Sequence, residues 1–498
     1  MTNIYDDWGT RRGGDLTQRD TTGVRSAMVN GFDPDRAGEL PPAARELISR
    51  RERVLGKPYR LFYREPLHLM RGSGAHLFDA QGNDYLDAYN NVPAVGHSNA
   101  RVQDAVARQL GTLNTHTRYL TDEIVEYAER LTAKFSPTLS QVMFTCTGSE
   151  AVDLAVRMAR RVTGGEGIIV TRNAYHGTTA SVAELTPSLG PGNSIPARTA
   201  LVDAPDSVRG PASAAEFVAQ VRSAIANFAA QGIPFAGIIV DSVLSSDGLR
   251  LEPAGFLAQA AQVAHEAGGL YIADEVQPGF GRTGDWWGYT RHGFVPDLVV
   301  LGKPMGNGLP IAGVVGSPEV FDAFGSEVRY FNTFGGNPVS IAAATAVLDE
   351  IEQRGLLEHA AHTGHRLATG LRSIAADLER AGGASRVAEV RGAGLFLSVE
   401  YVAPDGGATP DPAAALAMVN HLRDRRILVS ASGTYENVLK IRPPLVFDAE
   451  EPLRGEGQAV RESHASHSQP LSTSLAHRRD SDRFLEGFAE ASRLLGCS

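Results

Sequence analysis

A lysine and an aspartate, each at the end of a strongly apolar run, are the residues of this chain best suited to chemistry. Lys303 follows the run LVVLG, and Asp274 follows GLYIA. A buried amine has a lowered pKa and can condense with a carbonyl group, while a buried carboxylate needs a cation beside it. Each residue also has an ordinary reading, since Lys303 could lie in an exposed loop and Asp274 could pair with an arginine. The residues around Lys303 and Asp274 must therefore distinguish a catalytic role from these ordinary ones.

Two further motifs stand at equivalent positions. Gly148 and Ser149 follow the run VMFTCT and open a helical pattern, where free N–H groups and the helix dipole favour a phosphate. Tyr175 comes shortly after GIIVT, and an aromatic ring there can stack on a planar ligand. Taken singly, the first could be a plain helix N-cap and the second plain core packing. Together with an amine and a carboxylate, they supply what pyridoxal 5'-phosphate requires, so the sequence predicts this cofactor.

The elements that must position these residues are short strands and helices in alternation. From residue 100 to 340, short apolar runs alternate with helical patterns. This pattern predicts an α/β fold with a large domain built on a mostly parallel sheet that is buried on both faces. Ligands of such sheets lie beyond the carboxyl ends of the strands, which is where all four motifs stand.

The remaining segments predict a smaller α+β domain. Residues 41–99 and 341–498 carry a hairpin pattern, long amphipathic helices and further strands, and we expect them to form this domain together. The polar segment 1–40 is expected to be mobile. The Ser/His/Arg-rich stretch 453–480 has no periodicity and is expected to be a disordered insertion.

Composition excludes several classes of function. The 498 residues carry a formal net charge of −10, which argues against nucleic-acid and anionic-membrane partners. No stretch approaches the roughly 18 consecutive apolar residues of a membrane span, and the start lacks the apolar core of a signal peptide. Only two cysteines are present, so a disulfide framework is excluded and a cytoplasmic location is expected. No metal site is expected.

Seven motifs identify a family. They are TGSEA at 147–151, YHG at 175–177, ADEVQPGFGRTG at 273–284, LGKPMGNGLPIAG at 301–313, TFGGNP at 333–338, RGAGLF at 391–396 and IRPPL at 441–445. With them the chain resembles the class III (ω-) aminotransferases of pyridoxal-phosphate fold type I, from about residue 60 to 447 and again in the last helix. It departs from them at Pro278, where a threonine is common, and in the 453–480 insertion. Within the class it resembles most a subgroup that contains ethanolamine-phosphate phospho-lyase and alanine–glyoxylate aminotransferase-like proteins.

The resemblance implies a role for each matched residue. Lys303 would bond covalently to the cofactor aldehyde, Asp274 would keep the pyridine nitrogen protonated, and Gln277 would contact the ring hydroxyl. Tyr175 would stack on the ring, and Gly148 and Ser149 would bind the phosphate. Thr333 would reach across a dimer interface to the partner's phosphate, and Arg442 would clamp a substrate carboxylate. For Arg442 a structural ion pair is the alternative.

Three functions are compatible with these residues. Transamination from a small amine or amino acid to a keto acid ranks first, because it is the default of the class and Arg442 suits a carboxylate. Elimination of phosphate or ammonia from a phosphoethanolamine-like amine ranks second, on the subgroup resemblance. A non-catalytic binding protein with this fold ranks last, since the intact Lys303 and Asp274 count against it. The expected partners are small amine and keto-acid substrates and a second copy of the chain, in a homodimer with shared active sites.

Overall fold

The computed structural model describes residues 28, 30–90, 92–210, 212–382, 386–448 and 479–495. The strands are β1 (Leu69–Ser73), β2 (His76–Asp79), β3 (Asp84–Asp87), β4 (Gln141–Thr145), β5 (Gly167–Thr171), β6 (Thr199–Val202), β7 (Phe235–Asp241), β8 (Leu270–Asp274), β9 (Leu298–Leu301), β10 (Ala312–Gly316), β11 (Arg386–Ala393), β12 (Phe396–Val402), β13 (Ile427–Leu428), β14 (Ser430–Ser432) and β15 (Val438–Ile441).

Helices occupy much of the intervening chain. They are α1 (Pro42–Leu55), α2 (Ala100–Leu110), α3 (Asp122–Thr132), α4 (Gly148–Thr163), α5 (Ala180–Ala183), α6 (Ala214–Ala230), α7 (Phe256–Glu266), α8 (Pro318–Gly325), α9 (Pro338–Gln353), α10 (Leu356–Ala381), α11 (Pro412–Asp424) and α12 (Asp480–Leu495). Within the described ranges, no helix is both long enough and apolar enough to cross a membrane.

The central sheet has seven strands in the order β4-β10-β9-β8-β7-β5-β6. The neighbours from β9 to β6 are all parallel, whereas β10 runs antiparallel to both β9 and β4. The predicted α/β fold with a mostly parallel sheet is therefore confirmed. Sequence patterns did not indicate β6 or β10. The run of β10, AGVVG, has glycine in two of its five positions and merges into a Gly-rich loop, so it lacks the apolar contrast of its neighbours.

Both faces of this sheet are covered. Along β5, Ile168 and Val170 belong to one apolar core and Ile169 belongs to the other. This alternation follows from the two-residue period of a strand. Helix α4 packs against β9 and β10 on one face, and α6 and α7 pack against β6, β7 and β8 on the other. The strands are consequently buried along nearly their whole length, and only their ends remain available for chemistry.

The carboxyl ends of three strands bring polar residues to one edge. Strand β7 ends at Asp241, β8 ends at Asp274, and β9 ends two residues before Lys303. The parallel register places Asp241 opposite Asp274, and Asp274 opposite Val300. Residues that are far apart in the chain thus become neighbours at this edge.

Two smaller sheets form the rest of the strand structure, with the orders β1-β2-β3-β13 and β11-β12-β15-β14. The parallel pairing of β13 with β3 joins residues 86–87 to residues 427–428, so the beginning and the end of the chain share a sheet. The division into 41–99, 100–340 and 341–498 remains a proposal.

Two sequence predictions fall partly outside the described residues. Of the segment 1–40, residues 1–27 and 29 lie outside them, while Asn30 and Phe32 are hydrogen-bonded to Tyr63 and Leu61. Of the stretch 453–480, only Arg479 and Asp480 are described, and Asp480 begins α12.

His76 connects the first small sheet to the last helix. Its Nδ1 lies 2.8 Å from an oxygen of Asp84 in β3, and its Nε2 lies 3.2 Å from an oxygen of Asp480 in α12. Burial opposes the charged imidazole, but the hydrogen bonds with Asp480 and Asp84 outweigh it and raise the pKa of His76 to about 9.

We predict that this connection weakens at alkaline pH. The stabilisation by charged His76 is fully present below its unfolded pKa of about 6.5 and is lost as the pH rises through its folded pKa of about 9. Because the pair is partly exposed, we expect a loss on the order of 1–2 kcal/mol. Denaturant unfolding at about pH 7 and about pH 10 should show the advantage over a His76→Gln variant shrinking at the higher pH. As a control, Asp480→Asn removes one of the two partners of His76 and should by itself shrink the advantage at about pH 7. A constant His76→Gln effect would contradict the prediction.

Candidate active site

Lys303 lies just beyond β9, whose four residues are fully buried. A hydrogen bond from the Met305 N–H to the Gly302 carbonyl closes the turn that carries it. The side chain is partly exposed, and no described residue forms a hydrogen bond or ion pair with its amine. Burial, followed by the charge of Arg442, lowers the pKa of the Lys303 amine. An amine with a lowered pKa and no hydrogen-bond or ion-pair partner among the described residues can act as a nucleophile and as a base.

Asp274 is buried at the end of β8. Its Oδ2 lies 2.6 Å from Nδ1 of His176, and its Oδ1 accepts a hydrogen bond of 3.0 Å from the Val276 N–H. His176 is itself buried, and its Nε2 has no partner among the described residues. The histidine therefore holds the carboxylate in one orientation and offsets part of the cost of burying it. His176 belongs to the motif YHG, but the sequence alone does not indicate its contact with Asp274.

The N-terminus of α4 presents backbone N–H groups. Thr147 caps the helix, and its side-chain oxygen accepts a hydrogen bond of 3.2 Å from the Glu150 N–H. The N–H groups of Gly148 and Ser149 precede the first intrahelical hydrogen bonds and remain available to an anion. The structure thus places both predicted phosphate-binding residues at a helix end with the required polarity.

Two glycines let neighbouring segments of the backbone approach this helix end. A Cβ atom on Gly177, at φ +142°, would lie 2.3 Å from the Ser149 hydroxyl oxygen. A Cβ on Gly302 would lie 3.4 Å from the Cα of Gly148, so the lysine segment passes directly by the cradle. The Thr178 N–H donates a hydrogen bond of 3.1 Å to the Ser149 oxygen, which leaves the hydroxyl proton free to be donated. Both glycines are needed for close approach of the backbone.

Tyr175 completes the set that pyridoxal phosphate requires. It is 40% exposed between buried Ala174 and His176, so its ring is available for stacking. The centre of its ring lies 6.0 Å from Nζ of Lys303. The site thus contains the Lys303 amine, the Asp274 carboxylate, the N–H groups of Gly148 and Ser149, and the Tyr175 ring. These residues fit the cofactor.

Gln277 and Arg442 lie in one hydrogen-bonded chain. The Gln277 amide nitrogen donates to Ser245 at 2.7 Å, and the Ser245 hydroxyl donates to Asp241. The Gln277 amide oxygen accepts a hydrogen bond from Arg442. Arg442 also donates to the Tyr89 carbonyl at 2.9 Å and lies 4.7 Å from the centre of the Tyr89 ring. The predicted ring-hydroxyl residue and the predicted substrate clamp are thus coupled through one contact.

Lys440 is a residue of this site that sequence analysis missed. It is on β15, two positions before Arg442, and is 9% exposed. No described residue forms a hydrogen bond or ion pair with it. Burial, followed by the charge of Arg442, lowers the pKa of Lys440 to about 7, and Lys303 and Asp241 also act on it. A lysine inside the apolar run VLKI was the available signal, the same one that marked Lys303.

Thr333 is exposed and lies within an apolar surface patch. The patch is formed by exposed side chains from two segments, which are Tyr119, Leu120, Val125, Phe331 and Phe334. Arg118 stacks on Phe331 at 3.8 Å from the ring centre. Apolar surface of this kind is typical of a protein interface.

Comparison with known proteins agrees with this geometry. The family model described as aminotransferase class-III matches residues 63–455, which include every candidate residue. An alanine–glyoxylate aminotransferase 2-like protein of Drosophila melanogaster is 38% identical over 421 residues, covering 81% of this chain and 84% of its own. The ethanolamine-phosphate phospho-lyase homolog 1 of Caenorhabditis elegans is 34% identical over 426 residues, covering 81% and 90%. Among solved structures, a phospholyase from Arthrobacter in complex with phosphoethanolamine is 40% identical with a TM-score of 0.80, covering 90% and 99%.

We predict that Lys303 is the residue that bonds covalently to the cofactor. Protein purified with its cofactor should be yellow, and borohydride should attach the cofactor permanently to the peptide that contains Lys303. Peptide mass spectrometry identifies the modified residue. Lys440 is the informative comparison, because it is the other lysine of the site without a partner among the described residues. Modification of Lys440 in place of Lys303 would refute the assignment.

Proposed function

This chain belongs to the class-III aminotransferase family, whose fold is pyridoxal-phosphate fold type I and whose cofactor is pyridoxal 5'-phosphate, and from that premise we propose that it is a lyase. Its reaction is the elimination of phosphate from a small phosphorylated amine such as phosphoethanolamine. The observation that carries the proposal is the presence of two buried cations, Lys440 and Arg442, whose charges interact with each other and with Lys303.

Two cations suit a phosphate better than a carboxylate. A phosphate monoester carries close to two negative charges near neutral pH, whereas a carboxylate carries one. The guanidinium of Arg442 offers a planar fork of donors, and the Lys440 amine offers a compact charge that has no partner among the described residues. A carboxylate bound to Arg442 would leave Lys440 with no anion in ion-pair contact, since Asp241 and Asp247 act on it only at longer range. This imbalance is why we rank elimination ahead of transamination.

The residues of the chain supply orientation and proton transfer. When bound, the cofactor withdraws electrons from the carbon next to the substrate nitrogen. Nζ of Lys303, whose pKa burial lowers, takes the proton from that carbon. Asp274, held in one orientation by His176, would pair with the ring nitrogen of the bound cofactor. Lys440 and Arg442 hold the phosphate at the other end of the substrate.

The relatives support both chemistries of this family. The phospholyase from Arthrobacter and the phospho-lyase homolog of C. elegans favour elimination. The aminotransferase 2-like protein of Drosophila favours transamination. Transamination between a small amine or amino acid and a keto acid is therefore the second candidate, and the specific observation in its favour is the guanidinium fork of Arg442. A cytoplasmic location remains our expectation for either function.

We also propose that the active unit is a homodimer with shared sites. Thr333 is exposed beside the apolar patch of Tyr119, Leu120, Val125, Phe331 and Phe334. A second copy seated on this patch would cover the apolar surface and bring its own Thr333 to the phosphate-binding residues of the first.

The reaction is tested by mixing the enzyme with phosphoethanolamine in the absence of any keto acid. We expect phosphate and ammonia to accumulate over many turnovers while the yellow colour of the cofactor persists, because elimination leaves no amino group on the cofactor. A Lys303→Ala variant should release no phosphate. Loss of the colour with an amino acid, its return on addition of a keto acid, and no phosphate release would establish transamination instead.

The dimer is tested by placing a charge in the patch. Phe334→Glu should give monomers in light scattering and should lose cofactor on dilution, since a buried unpaired carboxylate opposes association. The matched control is Val54→Glu on α1, because Val54 is similarly exposed, at 76% against 69% for Phe334. Thr333→Ala should remain a dimer but bind the cofactor more weakly, by about tenfold for one lost hydrogen bond to a charged group. A Phe334→Glu protein that stays dimeric and retains its cofactor would refute this interface.

A further inference from the structure

The leaving group of the proposed reaction needs a proton. A phosphate monoester that departs with the electron pair of its C–O bond would leave as a trianion, which is a poor leaving group at neutral pH. Protonation of the bridging oxygen as the bond breaks gives the hydrogen phosphate dianion instead. We propose that Lys440 is a second catalytic residue, which donates this proton from its Nζ to the departing phosphate. The inference rests on the proposed lyase function.

The other cation near the phosphate cannot take this role. Arg442 holds its protons too tightly to donate at neutral pH. Asp241 also acts on Lys440, and burial raises the pKa of Asp241, but both of its carboxyl oxygens are held by hydrogen bonds from Val243 and Ser245. Lys303 has to accept a proton from the substrate carbon in the same event. Lys440 is the amine that remains.

The position of Lys440 is well defined by its strand. β15 lies between β12 and β14, and Lys440 pairs with Ser398 on one side and Ser430 on the other. Its neighbours Leu439 and Ile441 are buried in the apolar core, so the lysine is held on the opposite face. A side chain on a paired central strand is placed more precisely than one on a loop.

The environment of Lys440 suits proton donation. Its amine has no partner among the described residues, so no carboxylate within ion-pair distance retains the proton. Burial, then the Arg442 charge, lowers the pKa of Lys440 to about 7. A bound phosphate dianion would favour the charged form of the amine, and departure of the phosphate with a proton would return it to the neutral form.

The step balances in atoms and charge. Lys303 takes the proton from the carbon that bears the nitrogen, and the electron pair of that C–H bond forms a carbon–carbon double bond. The electron pair of the C–O bond leaves on the phosphate oxygen, which receives the proton of Lys440. Lys440 ends neutral and regains a proton from solvent, while Lys303 gives one up.

The experiment compares two leaving groups in Lys440→Arg, which keeps the positive charge but cannot donate its proton. The substrates are phosphoethanolamine and the sulfate ester of ethanolamine, whose sulfate leaves as a stable dianion without a proton. For the phosphate ester we expect kcat to fall about 100-fold or more, with KM changed less than about threefold. For the sulfate ester the fall should be at least about tenfold smaller. Lys440→Gln, which loses the charge as well, should in addition raise KM for the phosphate ester.

A second measurement separates proton donation from a structural role. In D2O, the enzyme exchanges the hydrogen of the substrate carbon whenever Lys303 removes it and phosphate does not leave. Lys440→Arg should therefore raise the ratio of deuterium incorporation to phosphate release by about 100-fold. The exposed Lys57→Arg is the matched control and should leave this ratio unchanged.

Several results would overturn the inference. An unchanged kcat for the phosphate ester in Lys440→Arg would remove the role, and with an unchanged deuterium ratio it would point to Lys303 as the donor. Equal losses with both esters would indicate disturbed packing. Failure of the proposed function looks different, because the unmodified enzyme itself would then release no phosphate.

Discussion

The cost of burying charge is the constraint on which this structure depends. At the carboxyl edge of the central sheet, Asp274 and Glu275 are both withdrawn from water. Each is held by dedicated partners, Asp274 by His176 and Glu275 by the N–H groups of Gly288 and Tyr289 at 2.8 Å. Burial nevertheless raises the pKa of Glu275 to about 8. Both acidic side chains therefore have hydrogen-bond partners within the chain.

The two lysines of the site differ from these acidic residues in their lack of partners. Lys303 and Lys440 have no hydrogen-bonding or ionic partner among the described residues, and burial lowers the pKa of both amines. Unpaired amines in such a setting destabilise the empty site unless a ligand compensates them. In the proposed function, the cofactor aldehyde would compensate Lys303 by forming a bond, and the substrate phosphate would compensate Lys440 by its charge.

The geometry of the cleft joins three distant parts of the chain. Arg442 donates to the Tyr89 carbonyl from the N-terminal part and to Gln277 from the central sheet, and it is carried by the segment after β15. A shift of the small sheets against the central one would consequently alter the position of Gln277. The two candidate reactions would use the same Lys303 and Asp274, so under our proposal they differ in the group that Lys440 and Arg442 hold at the far end of the substrate.

Much of this protein is determined by its sequence alone. The family, the α/β fold and the cofactor were predicted and are confirmed, because short apolar runs that alternate with helices specify a parallel sheet, and the residues after each run must meet at one edge. That is why Lys303, Asp274 and the cradle at Gly148 and Ser149 were recognisable as local patterns.

Only the tertiary structure decided which residues pair and which do not. The contact of His176 with Asp274 and that of Arg442 with Gln277 join residues 98 and 165 positions apart. A local pattern carries no information about such distant partners. The apolar run VLKI marks Lys440 as an unusual lysine, but the run has the same appearance whether the lysine faces solvent or an active site. Its face is set by the pairing of β15 with β12 and β14, which the packing of the whole chain determines.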